Sequence, residues 1–280
     1  ASAGTTVTVN ALPAAPTITA GGPTTFCAGG SVTLTSSAGS SYLWSTGATT
    51  ASINATTAGT YTVQVTNAAG CQSPASAGIT VTVNAAPSAP TITASGPTTF
   101  CAGGSVTLTS SAGTAYLWST GATTASINAT TAGTYTVQVT NAAGCQSPAS
   151  AGTTVTVNAL PAAPTITPSG STAICAGGSV TLTSSTGSSY LWSTGETTSS
   201  ITVTSAGTYT VQVTNAAGCQ SPASAGTTVT VNALPPAPII TAGGPTTFCA
   251  GGSVTLTSSA GTAYLWSTGE TTSSITVTSA

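Results

Sequence analysis

The stretch CAGGSVTLTSS begins at Cys27 and returns unchanged at Cys101, Cys175 and Cys249. Trp44, Trp118, Trp192 and Trp266 keep the same step of 74 residues. A second cysteine follows the first by 44 residues in each full copy, at Cys71, Cys145 and Cys219. Self-similarity at a fixed period constrains a fold more than any local propensity does. This period is too long for one solenoid turn and suits one small autonomous domain per repeat. The first two copies are nearly identical. The later two replace SINATT with SITVTS and carry Glu196 and Glu270 where Ala48 and Ala122 stand.

Proline-rich segments punctuate the repeats at NALPAAP (Asn10 to Pro16), NAAPSAP (Asn84 to Pro90), NALPAAP (Asn158 to Pro164) and NALPPAP (Asn232 to Pro238). Proline fixes φ, so these are short, semi-rigid, extended connectors. They delimit three whole domains, 17–84, 91–158 and 165–232, and a partial fourth, 239–280. Residues 1–10 match the last strand of a preceding repeat. With no initiator Met and no signal peptide, the chain reads as an interior piece of a longer array.

Within one repeat the pattern is that of strands. SVTLTSS directs Val32 and Leu34 to one face. SYLWS turns Tyr42 and Trp44 inward and Leu43 outward. GTYTVQVTN sets Tyr61, Val63 and Val65 against Thr62 and Gln64. PTITA opens the domain and TTF continues that strand after a GGP turn, ASINA is centred on Ile53, and TVTVN closes the domain with Val81 and Val83 inward. Strict alternation over short strands, broken by Gly, Ser and Asn, predicts an all-β, two-sheet sandwich. A domain of about 70 residues has a small core and needs reinforcement.

Composition removes most functions. The chain has no Lys, Arg, His, Asp or Met, and its only charges are Glu196 and Glu270. Nucleic-acid binding needs cations to displace phosphate counterions. Acid–base or nucleophilic catalysis needs a base to move the proton. The two glutamates occupy the same position of different repeats, so they cannot pair in one site, and a Ca²⁺ site wants several carboxylates. No catalytic residue, metal site or cofactor is expected. Disorder does not fit either, because 40% of residues are hydrophobic and net charge is only −2. No apolar run is long enough to span a membrane. Cysteines on two strict repeat positions, with no C-x-x-C pair, point to disulfides and an oxidising compartment.

Particular residues resemble a known family. AGTYTVQVTNAAG looks like strand F and the F–G turn of intermediate-type immunoglobulin-like domains. On that likeness Tyr61 takes the tyrosine-corner position, SVTLTS resembles strand B and Trp44 the strand C tryptophan. Val63 and Leu34 or Ser36 then stand where the family's core disulfide lies, so that bond is absent. The whole repeat, through YLWSTGATT, AGTYTVQVTNAAGC and VTVN, is similar to immunoglobulin-like repeats of Bacteroidetes cell-surface and gliding-motility adhesins. The fold class expected is therefore a tandem array of immunoglobulin-like β-sandwich domains. That topology puts Cys27 at the end of its domain facing the next repeat and Cys71 at the end facing the previous one. A strand of about 7 residues at roughly 3.3 Å each separates those ends by more than about 20 Å. A disulfide needs Cα atoms within about 7 Å. The resemblance thus favours junction bonds, Cys27–Cys145 and Cys101–Cys219, over the intradomain alternative, Cys27–Cys71. Cys71, Cys175 and Cys249 would then find partners outside the segment. The QSPASAG segment after Cys71 is expected to give that loop its reach.

The function expected is structural: an extracellular cell-surface fibre or stalk, advancing about 40 Å per repeat. The alternative is an adhesin whose modules bind a glycan or partner surface directly. A neutral Thr/Ser surface lacks the charges that keep β-proteins soluble, which suggests covalent glycans. Asn54 and Asn128 head N-x-T sequons. Leu43, Leu117, Leu191 and Leu265 form a periodic row of outward leucines, a candidate line for lateral contact between fibres.

Overall fold

The computed structural model describes residues 3–279, and no helix occurs among them. The chain divides into two compact units, Ala1–Ala159 and Leu160–Ala280. The first unit carries two separate cores and the second unit one.

The first repeat has eight strands: β1 (Ile18–Ala20), β2 (Thr25–Cys27), β3 (Val32–Ser36), β4 (Ser41–Trp44), β5 (Ser52–Ala55), β6 (Gly59–Tyr61), β7 (Val63–Thr66) and β8 (Ile79–Asn84). They make three small sheets, ordered β1-β3-β5, β2-β8-β6 and β4-β7. All pairings are antiparallel except β2 with β8, which is parallel. Alternation along β3 buries Val32, Leu34 and Ser36 and exposes Thr33 and Thr35. Side chains from all three sheets meet in one core of Val32, Leu34, Trp44, Ala55, Tyr61, Val63 and Val81. Leu43 points outward between half-buried Tyr42 and buried Trp44. The Trp44 indole N–H donates to the Thr50 carbonyl at 2.8 Å, which lets a large ring be buried without stranding its polar atom.

Tyr61 closes the base of this core. Its hydroxyl donates to the Thr57 carbonyl at 2.8 Å, spanning the turn before β6. Tyr135 and Tyr209 make the same bond to Thr131 and Ser205, each at 2.9 Å. The second repeat reproduces the topology and core of the first, and so does the third inside the second unit. In 239–279 one sheet forms, from Ile240–Ala242, Val254–Ser258 and Ser274–Val277, and Trp266 is half-buried.

One reading of the sequence needs correction. PTITA and TTF are not one strand interrupted by a turn. β1 pairs with β3 whereas β2 pairs with β8, so the chain changes sheets at the GGP turn. The partner strand decides: β8 arrives from the other end of the repeat and takes β2 into a parallel ladder. Residues 5–10, TTVTVN, match Thr153–Asn158, yet they lie in no sheet. Val7 is 82% exposed where its counterpart Val155 is 2% exposed. A strand is defined by its partner, and the same six residues stay unpaired without one.

Candidate functional site

The site with covalent chemistry is the junction between the first and second repeats, and three local structures build it. The first is the end of β2. Cys27 lies opposite Asn84 in the parallel ladder, and the next amide, Ala28 N, donates to the Asn84 carbonyl at 2.9 Å. A tight turn follows, in which Gly30 N donates to Cys27 O at 2.9 Å. Gly29 holds φ at 91° there, a conformation that suits glycine. Cys27 is therefore fixed where the chain leaves the first repeat for its linker.

The second structure is the hairpin at Asn141–Cys145. The Asn141 side-chain oxygen accepts from Ala143 N at 3.1 Å and from Cys145 N at 2.9 Å. Asn141 N donates to Cys145 O at 3.0 Å, and Gly144 takes the left-handed conformation, with φ at 79°. The same asparagine amide reaches outside its repeat: Nδ2 donates to the Ala85 carbonyl in the linker at 2.9 Å.

The third is QSPAS, residues 146–150. Ser147 and Ser150 are buried and lie along Val137–Thr140, the strand equivalent to β7. Ser147 N donates to Val139 O and Ser147 Oγ accepts from Val139 N, at 2.9 and 3.0 Å. Ser150 does the same with Val137, at 2.9 and 3.1 Å. This segment does not lend reach to the loop, as its sequence suggested. It substitutes for a neighbouring strand and pins the cysteine just before it.

These pieces bring two sulfurs together. Cys27 and Cys145 form a disulfide with S–S 2.03 Å and Cα–Cα 5.5 Å, across a sequence separation of 118. The Cα distance lies in the ordinary range for such bonds. Cys145 Sγ also sits 3.8 Å from the Asn84 carbonyl, the group that Ala28 N holds. Cys101 and Cys219 are disulfide cysteines as well. Cys71, Cys175 and Cys249 are free. Cys71 is presented as Cys145 is: Asn67 Nδ2 donates to Ala11 O at 3.0 Å, and Cys71 Sγ lies 3.8 Å from Asn10 O.

Asn54 and Asn128 are exposed on strands Ser52–Ala55 and Ser126–Ala129, and Asn54 Oδ1 accepts from Thr33 Oγ1 at 2.8 Å. Leu43, Leu117 and Leu191 are 44–45% exposed, and Leu265 82%. Glu196 and Glu270 are both exposed. The Thr268 hydroxyl, with Glu270's own backbone, holds the Glu270 carboxyl below its ordinary value of 4.5. The sequence marks the cysteines but not Asn141, Ser147 or Ser150, and shows Asn141 only as part of the turn in TNAAG. The asparagine's second bond, to a linker 56 residues earlier, leaves no local pattern.

No family model and no curated protein matches the sequence. Solved structures similar to it include a Ca²⁺-stabilized adhesin that helps an Antarctic bacterium reach out and bind ice. Identity is 20%, over 88% of this chain and 82% of that one, with a TM-score of 0.42. Another is a 1.5-MDa bacterial ice-binding adhesin studied for host cell surface retention, 20% identical over 78% of this chain and 98% of that one, with a TM-score of 0.34. Likeness of that degree assigns neither fold nor activity to this chain.

Proposed function

We propose that the chain is a structural segment of an extracellular, cell-surface fibre or stalk. Its units are tandem immunoglobulin-like sandwich modules at 17–84, 91–158 and 165–232, with part of a fourth at 239–280. The observation that carries this reading is the Cys27–Cys145 bond, which joins consecutive repeats and not the two cysteines of one repeat. A covalent lock at the linker gives a fixed angle between modules, which a stalk needs and a soluble enzyme does not. Disulfides of this kind persist in oxidising surroundings outside the cytosol. The tyrosine hydroxyl bonds at Tyr61, Tyr135 and Tyr209 support the immunoglobulin-like reading. So does the resemblance of the repeat to Bacteroidetes surface proteins. Free Cys71, Cys175 and Cys249 fit junctions with further modules.

Direct glycan or surface binding by the modules is the competing role. The aromatic rings that usually form such a face are unfavourable for it here, because Trp44, Trp118 and Trp192 are each 2% exposed. Covalent glycans, at Asn54 and Asn128 or on outward Thr and Ser, would hydrate the neutral surface, and the row from Leu43 to Leu265 would serve lateral contact. Electron microscopy of native material tests the stalk. Expected is a filament with a constant axial repeat near about 40 Å that becomes flexible under reductant. Globular particles, or no change on reduction, would reject it. An intact mass equal to the bare polypeptide would reject the glycans.

A further inference from the structure

We infer that Asn141 is the positioning residue that selects Cys27 as the partner of Cys145, by clasping the linker before the sulfurs are oxidised. The inference stands on junction geometry alone and goes beyond the stalk reading. Asn141 uses both ends of one amide. Its oxygen shapes the hairpin that carries Cys145. Its nitrogen grips Ala85 O, one residue past Asn84, which is the register partner of Cys27. The clasp therefore sets the hairpin against the residue beside which Cys27 must lie.

The first repeat supplies the comparison without the bond. Cys71 is a free thiol, yet Asn67 makes the same turn bonds and the same linker bond, at 3.0 Å to Ala11 O. The Cys71 sulfur stands 3.8 Å from Asn10 O, the distance that bonded Cys145 keeps from Asn84 O. Neither the clasp nor the placement of the sulfur depends on a disulfide. Seven cysteines offer many wrong pairs, and Cys27–Cys71 is closer in sequence than Cys27–Cys145. The loop-closure cost favours the closer pair only slightly, so geometry has to decide.

The chemistry is thiol–disulfide exchange with an external disulfide such as oxidised glutathione. One junction cysteine, as thiolate, attacks it and releases one glutathione thiolate. The other, as thiolate, attacks the mixed disulfide and expels the second. Two cysteine protons pass by way of solvent to the two glutathione thiolates, and two electrons reduce the external disulfide. The clasp acts on the second, intramolecular step by raising the effective concentration of one sulfur at the other.

The test uses the full chain, reduced, refolded and reoxidised in a glutathione buffer, then alkylated at intervals and mapped by non-reducing chymotryptic digestion. Asn141→Asp keeps the turn acceptor and loses the linker donor. Asn141→Ser keeps a short turn acceptor that cannot reach the linker. Both are expected to slow Cys27–Cys145 formation at least about tenfold, leaving the two thiols free to alkylation for longer, with native Trp fluorescence in the reduced state. Asn67→Asp should leave that rate unchanged. Wild-type rate and pairing in either Asn141 variant that keeps native fluorescence would overturn the proposal, as would equal slowing by Asn67→Asp.

Discussion

Ser150 Oγ accepts the buried amide of Val137 at 3.1 Å, while Ser150 N donates to the Val137 carbonyl at 2.9 Å. A residue outside every sheet thus satisfies both backbone groups of a core strand. Ser150→Ala keeps the backbone donor but strands the Val137 amide, which costs about 1–3 kcal/mol. Chemical denaturation followed by Trp fluorescence should show that loss. A Ser150→Ala midpoint equal to wild type would mean that water or a shifted backbone replaces the hydroxyl.

Gly113 tests packing at the same strand. A Cβ there would lie 2.7 Å from Val139 Cβ and 2.9 Å from Val139 Cγ1. Gly113→Ala forces a stiff β-branched side chain to move and is expected to cost about 1–3 kcal/mol. Gly22→Ala is the control, because nothing lies within 4 Å of its added Cβ and its φ is not positive. Its melting temperature should match wild type within about 0.5 kcal/mol of stability.

The Cys27–Cys145 bond closes a loop with a sequence separation of 118. Chain entropy gives such a loop about 4–5 kcal/mol. The double variant Cys27→Ser, Cys145→Ser should melt on the order of 10 °C lower in calorimetry under oxidising conditions. Under reductant the two proteins should coincide. A difference that survives reductant would assign the effect to serine packing and not to the cross-link.

Stability should respond little to pH and salt, because the only charged side chains are Glu196 and Glu270. The folded-state pKa of Glu270 lies below its ordinary value of 4.5. Its contribution is therefore fully present above that ordinary value and is lost as pH falls through the depressed one. The group is fully exposed, so the effect is a shallow acid-side decline. Melting curves should overlay from about pH 5 to 8 and from low to high salt. A steep change near neutrality would contradict this account.

What the sequence displayed was what strand periodicity encodes. Val32 and Leu34 inward, Leu43 outward and Trp44 buried all follow from alternation, because a strand cannot turn one side chain without turning its neighbours. Which sheet a strand joins is not local. PTITAGGPTTFC reads as one extended run, and only the later arrival of β8 sends β2 to a different sheet. The junction shows the same divide. Cysteine spacing marks Cys27 and Cys145 as special, but spacing alone does not say which sulfur each meets. Asn141 is the furthest from view, because an ordinary turn asparagine hides a bond to another repeat's linker.

The disulfide also reroutes tension. A chain held at both ends transmits force along its shortest covalent path, and that path leaves the backbone at Cys27 and rejoins it at Cys145. The 118 peptide steps between them, roughly 400 Å of contour when fully extended, are bypassed. Strands β3 to β8 and most of the second repeat thus sit beside the load line and not in it. Their cores can be small, because a tug passes through β1 and β2 to Cys27 and then crosses the sulfur–sulfur bond without loading the backbone between the two cysteines.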